Sequence, residues 1–341
     1  MRWWVGILAL GGAAAIILGC AHGVADESGS SSKADMSVLV EPAPEKGFNY
    51  PYILRIPGDA ASASNQFLMV EPNNTGALSD DLQLHLDAAK ALTVNGIGFF
   101  VSRSLNLALL VPVFPRPKTE WEIYTHMLDR DVMLLREGPM KWLDLQLIAM
   151  IDDARGRLKK EGVRVNPKVL ITGFSSSGVF ANRFTMLHPD RVHAVACGGI
   201  NGLLILPYIS LAGEELLYPL GLGDYESITK RSFDLPSWCQ VHQFIYMGAE
   251  DENDAVLFDD GYSDSEREIV FTLLGKQMLL DRWEKCQQIY RSSGARVTFN
   301  TYQGIGHGTD CAINYEILEF FRTSIDDRWG VTRIPNIFQG H

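Results

Sequence analysis

Three short segments place a nucleophile, an acid and a base in one order along the chain. The first is Gly173-Phe174-Ser175-Ser176-Ser177-Gly178, which follows the apolar run Lys168-Val169-Leu170-Ile171-Thr172 and precedes a helical pattern of Val179, Phe180, Phe184 and Leu187. A serine at a tight turn between strand and helix sits in a strained backbone conformation, so the residues two before and two after it must be small. Ser175 meets that condition, with Gly173 before it and Ser177 after. Ser176 has Phe174 two places ahead, and Ser177 has Val179 two places behind. The pattern departs from G-x-S-x-G in carrying Ser177 where the second glycine usually stands. A phosphate-cradling loop would need a lysine at a spacing that is absent here.

A serine hydroxyl is a weak nucleophile at neutral pH and needs a base within hydrogen-bond reach and a third group to orient that base. The segment Phe244-Ile245-Tyr246-Met247 ends in Gly248-Ala249-Glu250-Asp251-Glu252-Asn253-Asp254. Asp251, three places past the glycine, is the candidate acid, with Asp254 as the alternative and Glu250 behind it. The run Val297 to Tyr302 leads into Gln303-Gly304-Ile305-Gly306-His307-Gly308, where glycines on both sides let the His307 ring swing to a sheet edge. His307 is the candidate base. Nucleophile, acid, base is one of the orders in which such triads occur. His85, His126, His188, His193 and His242 precede Asp251, and His22 and His341 lie near the termini.

These segments have to be held together by a sheet. Short apolar, β-branched runs alternate with longer helical patterns, the signature of βαβ units and a mostly parallel sheet flanked by helices. Strands are expected at Tyr52 to Ile56, Phe67 to Val70, Ala108 to Val113, Val169 to Thr172, Val192 to Cys197, Phe244 to Met247 and Val297 to Tyr302. The clearest helix spans Trp142 to Lys160, with Leu143, Leu147, Ile151, Ala154 and Leu158 on one face. A further helical pattern covers Phe271 to Arg291. Residues 202–237 interrupt the alternation with apolar residues among Gly and Pro, and this stretch reads as a small cap insertion over the C-terminal edge of the sheet. No internal repeat is visible.

Of the 341 residues 46% are apolar and 21% charged, so the chain can bury a sizeable core, and the net charge of -11 excludes a phosphate-backbone partner such as nucleic acid. Arg2 precedes an uncharged run from Trp3 to Gly19 that is too short to span a membrane comfortably and reads as an export signal over residues 1–20. Its end, Ile17-Leu18-Gly19-Cys20, resembles the lipobox of bacterial lipoproteins, which implies lipidation at Cys20 and a periplasmic or cell-surface location, otherwise secretion. Residues 21–46 read as a flexible tether and 47–341 as the folded domain. Four cysteines remain in an oxidising compartment. Disulfides are expected to involve Cys239, Cys286 and Cys311, while Cys197, within an apolar run, is expected to be a buried free thiol. No H-E-x-x-H, paired C-x-x-C or calcium-loop pattern occurs, so no metal or other cofactor is expected.

The stretch from Phe48 to Phe321 resembles the α/β-hydrolase superfamily, in character closest to exported esterases of the polyhydroxyalkanoate depolymerase and carbohydrate-esterase kind. The likeness is carried by G-F-S-S-S-G, H-P-D-R-V-H-A-V from His188 to Val195, M-G-A-E-D from Met247 to Asp251 and G-I-G-H-G from Gly304 to Gly308. It implies the α/β-hydrolase fold and acyl transfer: His307 takes the proton of Ser175, and Asp251 holds the imidazole. It also implies an oxyanion hole made by the backbone N–H of Ser176 and one from the loop Val70 to Gly76. Pro72 has no N–H, so Asn73 or Asn74 is the candidate there. Phe174, Asn201 and Trp238 are candidate pocket residues, and Arg116 a candidate for the pocket edge. The implied substrate is a small or polymer-derived carboxylic ester. A serine peptidase or amidase on the same triad and a non-catalytic tethered binding lipoprotein are the alternatives, and a membrane is met only through the lipid anchor.

Overall fold

The computed structural model describes residues 34–60 and 66–326. Cys20, the export segment and most of the expected tether lie outside the described residues. The β-branched runs form strands β1 (Met36–Val40), β2 (Tyr52–Ile56), β3 (Leu68–Val70), β4 (Ala108–Pro112), β5 (Val169–Phe174), β6 (Val192–Gly198), the short pair β7 (Ser210–Leu211) and β8 (Glu214–Glu215), β9 (His242–Gly248) and β10 (Val297–Tyr302). Between them lie α1 (Leu82–Asn95), α2 (Ile97–Ser104), α3 (Arg130–Leu134), α4 (Leu143–Lys160), α5 (Ser176–Leu187), α6 (Tyr225–Thr229), α7 (Leu235–Gln240), α8 (Asp264–Leu273), α9 (Glu284–Ser292) and α10 (Cys311–Asp326). Eight strands make one sheet in the order β1-β2-β4-β3-β5-β6-β9-β10. β2 is antiparallel to both β1 and β4, and the other neighbours run parallel.

Alternation along the strands divides the core in two. Leu170, Ala194, Ala196 and Phe244 point to the face covered by α1, α2 and α10, whereas Val169, Ile171, Val195 and Ile245 meet α4, α5 and α9 on the other. Covering both faces is what makes continuous apolar runs, rather than alternating ones, the right composition for these strands. α4 buries Leu143, Leu147, Met150, Ile151, Ala154 and Leu158 along one stripe. The chain leaves β3 toward β4 on one side and returns to β5 on the other, so the topological switch point opens at the carboxyl ends of β3 and β5, where open α/β sheets bind their ligands.

Three expectations change. The tether does not reach residue 46: the chain joins the sheet at Met36, and β1 pairs with β2 from Met36 opposite Ile56 to Val40 opposite Tyr52. Lys46 then holds Asp153 of α4 at 2.7 Å. Met-Ser-Val-Leu-Val is a half-exposed edge strand of only five residues between polar flanks, which mask its apolar run. The expected disulfide involvement of Cys239 and Cys286 is not met, because both are free thiols, as is Cys197. Cys197 and Cys286 lie in the apolar core, where burial pushes both thiols up, that of Cys286 to about 12. Finally, the helical pattern of Phe271 to Arg291 divides into α8, a π turn over Met278–Trp283 and α9.

The inserted segment contains the β7–β8 hairpin, α6 and the start of α7. Its contacts run down α5 rather than across the switch point: the Tyr225 hydroxyl donates to Leu187 O at 3.0 Å, and Arg231 donates to the same carbonyl at 2.9 Å. Arg130, at the start of α3, grips it through Asp224 at 2.7 Å and Tyr218 O at 2.5 Å. The loops that follow β4 and β9 flank the switch point instead, and Arg116 ties them together by an ion pair with Asp260.

Candidate active site

β5 delivers Ser175 to the switch point in a left-handed backbone conformation, φ 60° and ψ -131°, immediately before α5. Non-glycine residues rarely hold a positive φ, and such strain persists only where the surroundings enforce it. They do so here. A Cβ on Gly173 would lie 2.2 Å from the Ser177 carbonyl oxygen, so only glycine lets the strand and helix approach. Ser177, standing where a second glycine was expected, turns its hydroxyl back on the turn: Oγ donates to Phe174 O at 2.9 Å and accepts from Phe174 N at 3.1 Å. Gly173→Ala is therefore expected to push the turn open and lower stability by about 3 kcal/mol. Thermal melts of the purified variant would show it.

His307 arrives from the loop after β10. Its Nδ1 lies 2.9 and 3.1 Å from the two carboxylate oxygens of Asp251, and its Nε2 lies 2.9 Å from Ser175 Oγ. Nδ1 faces only acceptors, so it carries the proton, which leaves Nε2 free to accept from the serine. Asp251 is 3% exposed and accepts from the backbone N–H of Asn253 at 2.9 Å. The Phe174 ring packs 4.9 Å from that of His307 and backs the imidazole. The Asn253 amide stands 3.3 Å from His307 Nε2, a neighbour that sequence reasoning did not single out. Asp254 points elsewhere: it binds Arg282 at 2.6 Å and caps the following turn through Val256 N at 3.2 Å. Glu250 is exposed.

The other named residues divide between the site and the scaffold. Ser176 opens α5, where backbone N–H groups have no intrahelical acceptor. Both ends of the Asn73 side chain are committed to Phe114, with Nδ2 donating to O at 2.9 Å and Oδ1 accepting from N at 3.0 Å. Asn74 Oδ1 accepts from Gly76 N at 3.2 Å. Asn73 could therefore serve an oxyanion only through its main chain. Asn201, with φ 60°, braces the acid-bearing loop by accepting from Ala255 N at 3.4 Å. Trp238 is not a pocket residue. It lies on α7, fully buried against Tyr290 of α9, and α7 feeds the amino end of β9, whereas Asp251 follows the carboxyl end. Arg116 is buried, with its guanidinium 3.7 Å over the Tyr124 ring.

Beneath the β3 loop lies an unexpected carboxyl. Glu71 accepts from the backbone N–H groups at the start of α2, including Gly98 at 3.0 Å, yet burial outweighs those donors and pushes it from an ordinary 4.5 to about 8. The folded protein thus holds a proton that the unfolded chain has released, and this contribution is complete below pH 4.5 and lost as pH rises through about 8. Thermal melts should show stability falling over that window, with a shallower fall in Glu71→Gln, which keeps an acceptor without the charge. An unchanged slope in the variant would assign the effect to other groups.

No family model and no curated protein matches this sequence. Solved structures are similar. Poly(aspartic acid) hydrolase-1 from Sphingomonas sp. KT-1 aligns over 88% of this chain and 100% of its own, at 17% identity with a TM-score of 0.53. A ferulic acid esterase aligns over 85% and 98% at 13% identity, TM-score 0.46. The fluorophosphonate-binding serine hydrolase FphF of Staphylococcus aureus aligns over 86% and 99%, also at 13% and 0.46. The first likeness, with the strand order described above, shows that this chain has the α/β-hydrolase fold.

Proposed function

We propose that the protein is a serine hydrolase that cleaves a carboxylic ester through an acyl-enzyme. The observation that carries this reading is the hydrogen-bonded chain Ser175 Oγ, His307 Nε2, His307 Nδ1 and Asp251, assembled from the ends of three strands with Ser175 held at positive φ. Ser175 Oγ attacks the ester carbonyl carbon as its proton passes to His307 Nε2. The imidazolium is stabilised by Asp251 and returns that proton to the departing alkoxide oxygen. Water repeats the sequence on the acyl-serine and releases the acid. The charge on the carbonyl oxygen is met by the N–H of Ser176 and by a main-chain N–H of the Asn73–Asn74 segment. The uncharged run ahead of Cys20 supports placing the enzyme outside the cytoplasm, lipidated at that cysteine.

The full-length protein treated with a fluorophosphonate probe should be labelled at Ser175 by peptide mapping, and a panel of short-chain esters should turn over faster than peptide amides. Faster amide cleavage would keep the triad and overturn the ester. A folded protein that neither labels nor turns over would leave a binding protein.

A further inference from the structure

One side-chain pair beside the nucleophile has no part in the mechanism above. Tyr124 Oη and Ser176 Oγ are 2.9 Å apart, and both residues are buried. Each hydroxyl brings one proton. Their mutual hydrogen bond uses one of them, and among the described residues neither oxygen has a second acceptor, so one O–H is left uncommitted. A buried donor without an acceptor is costly, which makes a partner that arrives with the substrate the natural recipient.

The surroundings decide which hydroxyl faces outward. Tyr124 is fixed at its backbone, where N–H donates to Asp129 Oδ2 at 3.0 Å. Its ring carries the Arg116 guanidinium on one face at 3.7 Å, and Asp260 locks that guanidinium in place. A cation over the ring draws electron density from the phenol and strengthens it as a donor. Burial raises the phenol above its ordinary range, so it stays protonated at neutral pH. Ser176 adjoins Ser175, and its backbone N–H is the donor assigned above to the carbonyl oxygen. In the loop after β3, both ends of the Asn73 side chain are already engaged with Phe114, so that side chain has no donor to add.

We propose that the Tyr124 hydroxyl is a further catalytic group: it donates a hydrogen bond to the substrate carbonyl oxygen as negative charge builds there, while Ser176 Oγ–H donates to the Tyr124 oxygen and holds it in line. No proton is transferred; the phenol stabilises the oxyanion beside the main-chain N–H groups. The inference rests on the serine-hydrolase reading. It predicts selectivity for transition-state charge rather than for ground-state binding.

The test compares the wild-type full chain with Tyr124→Phe, Ser176→Ala and the double variant, using p-nitrophenyl acetate as substrate and an alkyl trifluoromethyl ketone as the tetrahedral-adduct inhibitor. Tyr124→Phe should lower kcat by about 100-fold, the usual cost of one oxyanion donor, with KM little changed. Ser176→Ala should lower it about tenfold, the worth of one neutral hydrogen bond, and the double variant should match Tyr124→Phe because the pair acts as a unit. The inhibition constant should rise by the factor by which kcat/KM falls. An unchanged kcat, a loss in KM alone, or a larger loss in Ser176→Ala than in Tyr124→Phe overturns the assignment. Should Tyr124→Phe melt early, Ser176→Ala and its inhibition constant still decide the matter, since that change removes one oxygen at the start of α5. Wild type that fails to turn over strikes the hydrolase reading itself, whereas active wild type with unaltered variants strikes only the role of Tyr124.

Discussion

Ser175→Ala is expected to lower kcat about a millionfold while leaving the thermal midpoint within a few degrees of wild type. The change deletes one oxygen from a residue whose backbone is set by Gly173 and by the two hydrogen bonds of Ser177, so the turn has no reason to rearrange. What remains is binding and oxyanion stabilisation, worth about 10³ to 10⁴ over water in triad enzymes. His307→Ala should fall as far, and the double variant no further, since the two act on one proton. Stopped assays with a p-nitrophenyl ester, run beside calorimetry, give both numbers. Activity of Ser175→Ala within tenfold of wild type would move the nucleophile elsewhere.

The second large effect separates two neighbouring aspartates. Asp251→Asn presents an amide to His307 Nδ1 and favours the tautomer with the proton on Nε2, where the ring can no longer accept from Ser175. A loss of about 10⁴ in kcat is expected with the fold preserved. Asp254→Asn should do the reverse. It removes the charge that compensates Arg282, a side chain with no exposed surface, so about 3 kcal/mol of stability goes. Its kcat at a temperature where the variant is folded should stay near wild type. Exchange of the two outcomes would give the orienting role to Asp254.

The legibility of this molecule in its sequence follows physical lines. β5, the turn and α5 are written locally, because the elbow tolerates only small residues at fixed offsets and the strand before it must be apolar throughout. His307 and Asp251 were legible for a related reason: each follows a short apolar strand and a glycine. What escaped was non-local or short. Tyr124 meets Ser176 from 52 residues away in the chain, and a single side-chain hydrogen bond between a loop and the start of α5 leaves no periodicity to read. The Arg116 to Asp260 clasp and the burial of Glu71 under α2 are of the same kind. Trp238 misled because a tryptophan beside an irregular insertion suggests a pocket, whereas the insertion descends α5 and returns the chain to the base of β9. β1 escaped because an edge strand needs only one buried residue, here Val40.

That edge strand also sets which rim of the sheet receives the preceding chain. β1 is antiparallel to β2, which is antiparallel to β4, so β1 points the same way as the parallel strands. Its amino end, Met36, therefore sits at the rim of the sheet opposite Ser175. The lipid anchor proposed above would therefore grip the protein by its foot, as a lamp stands on its base, with the Ser175 rim turned the other way.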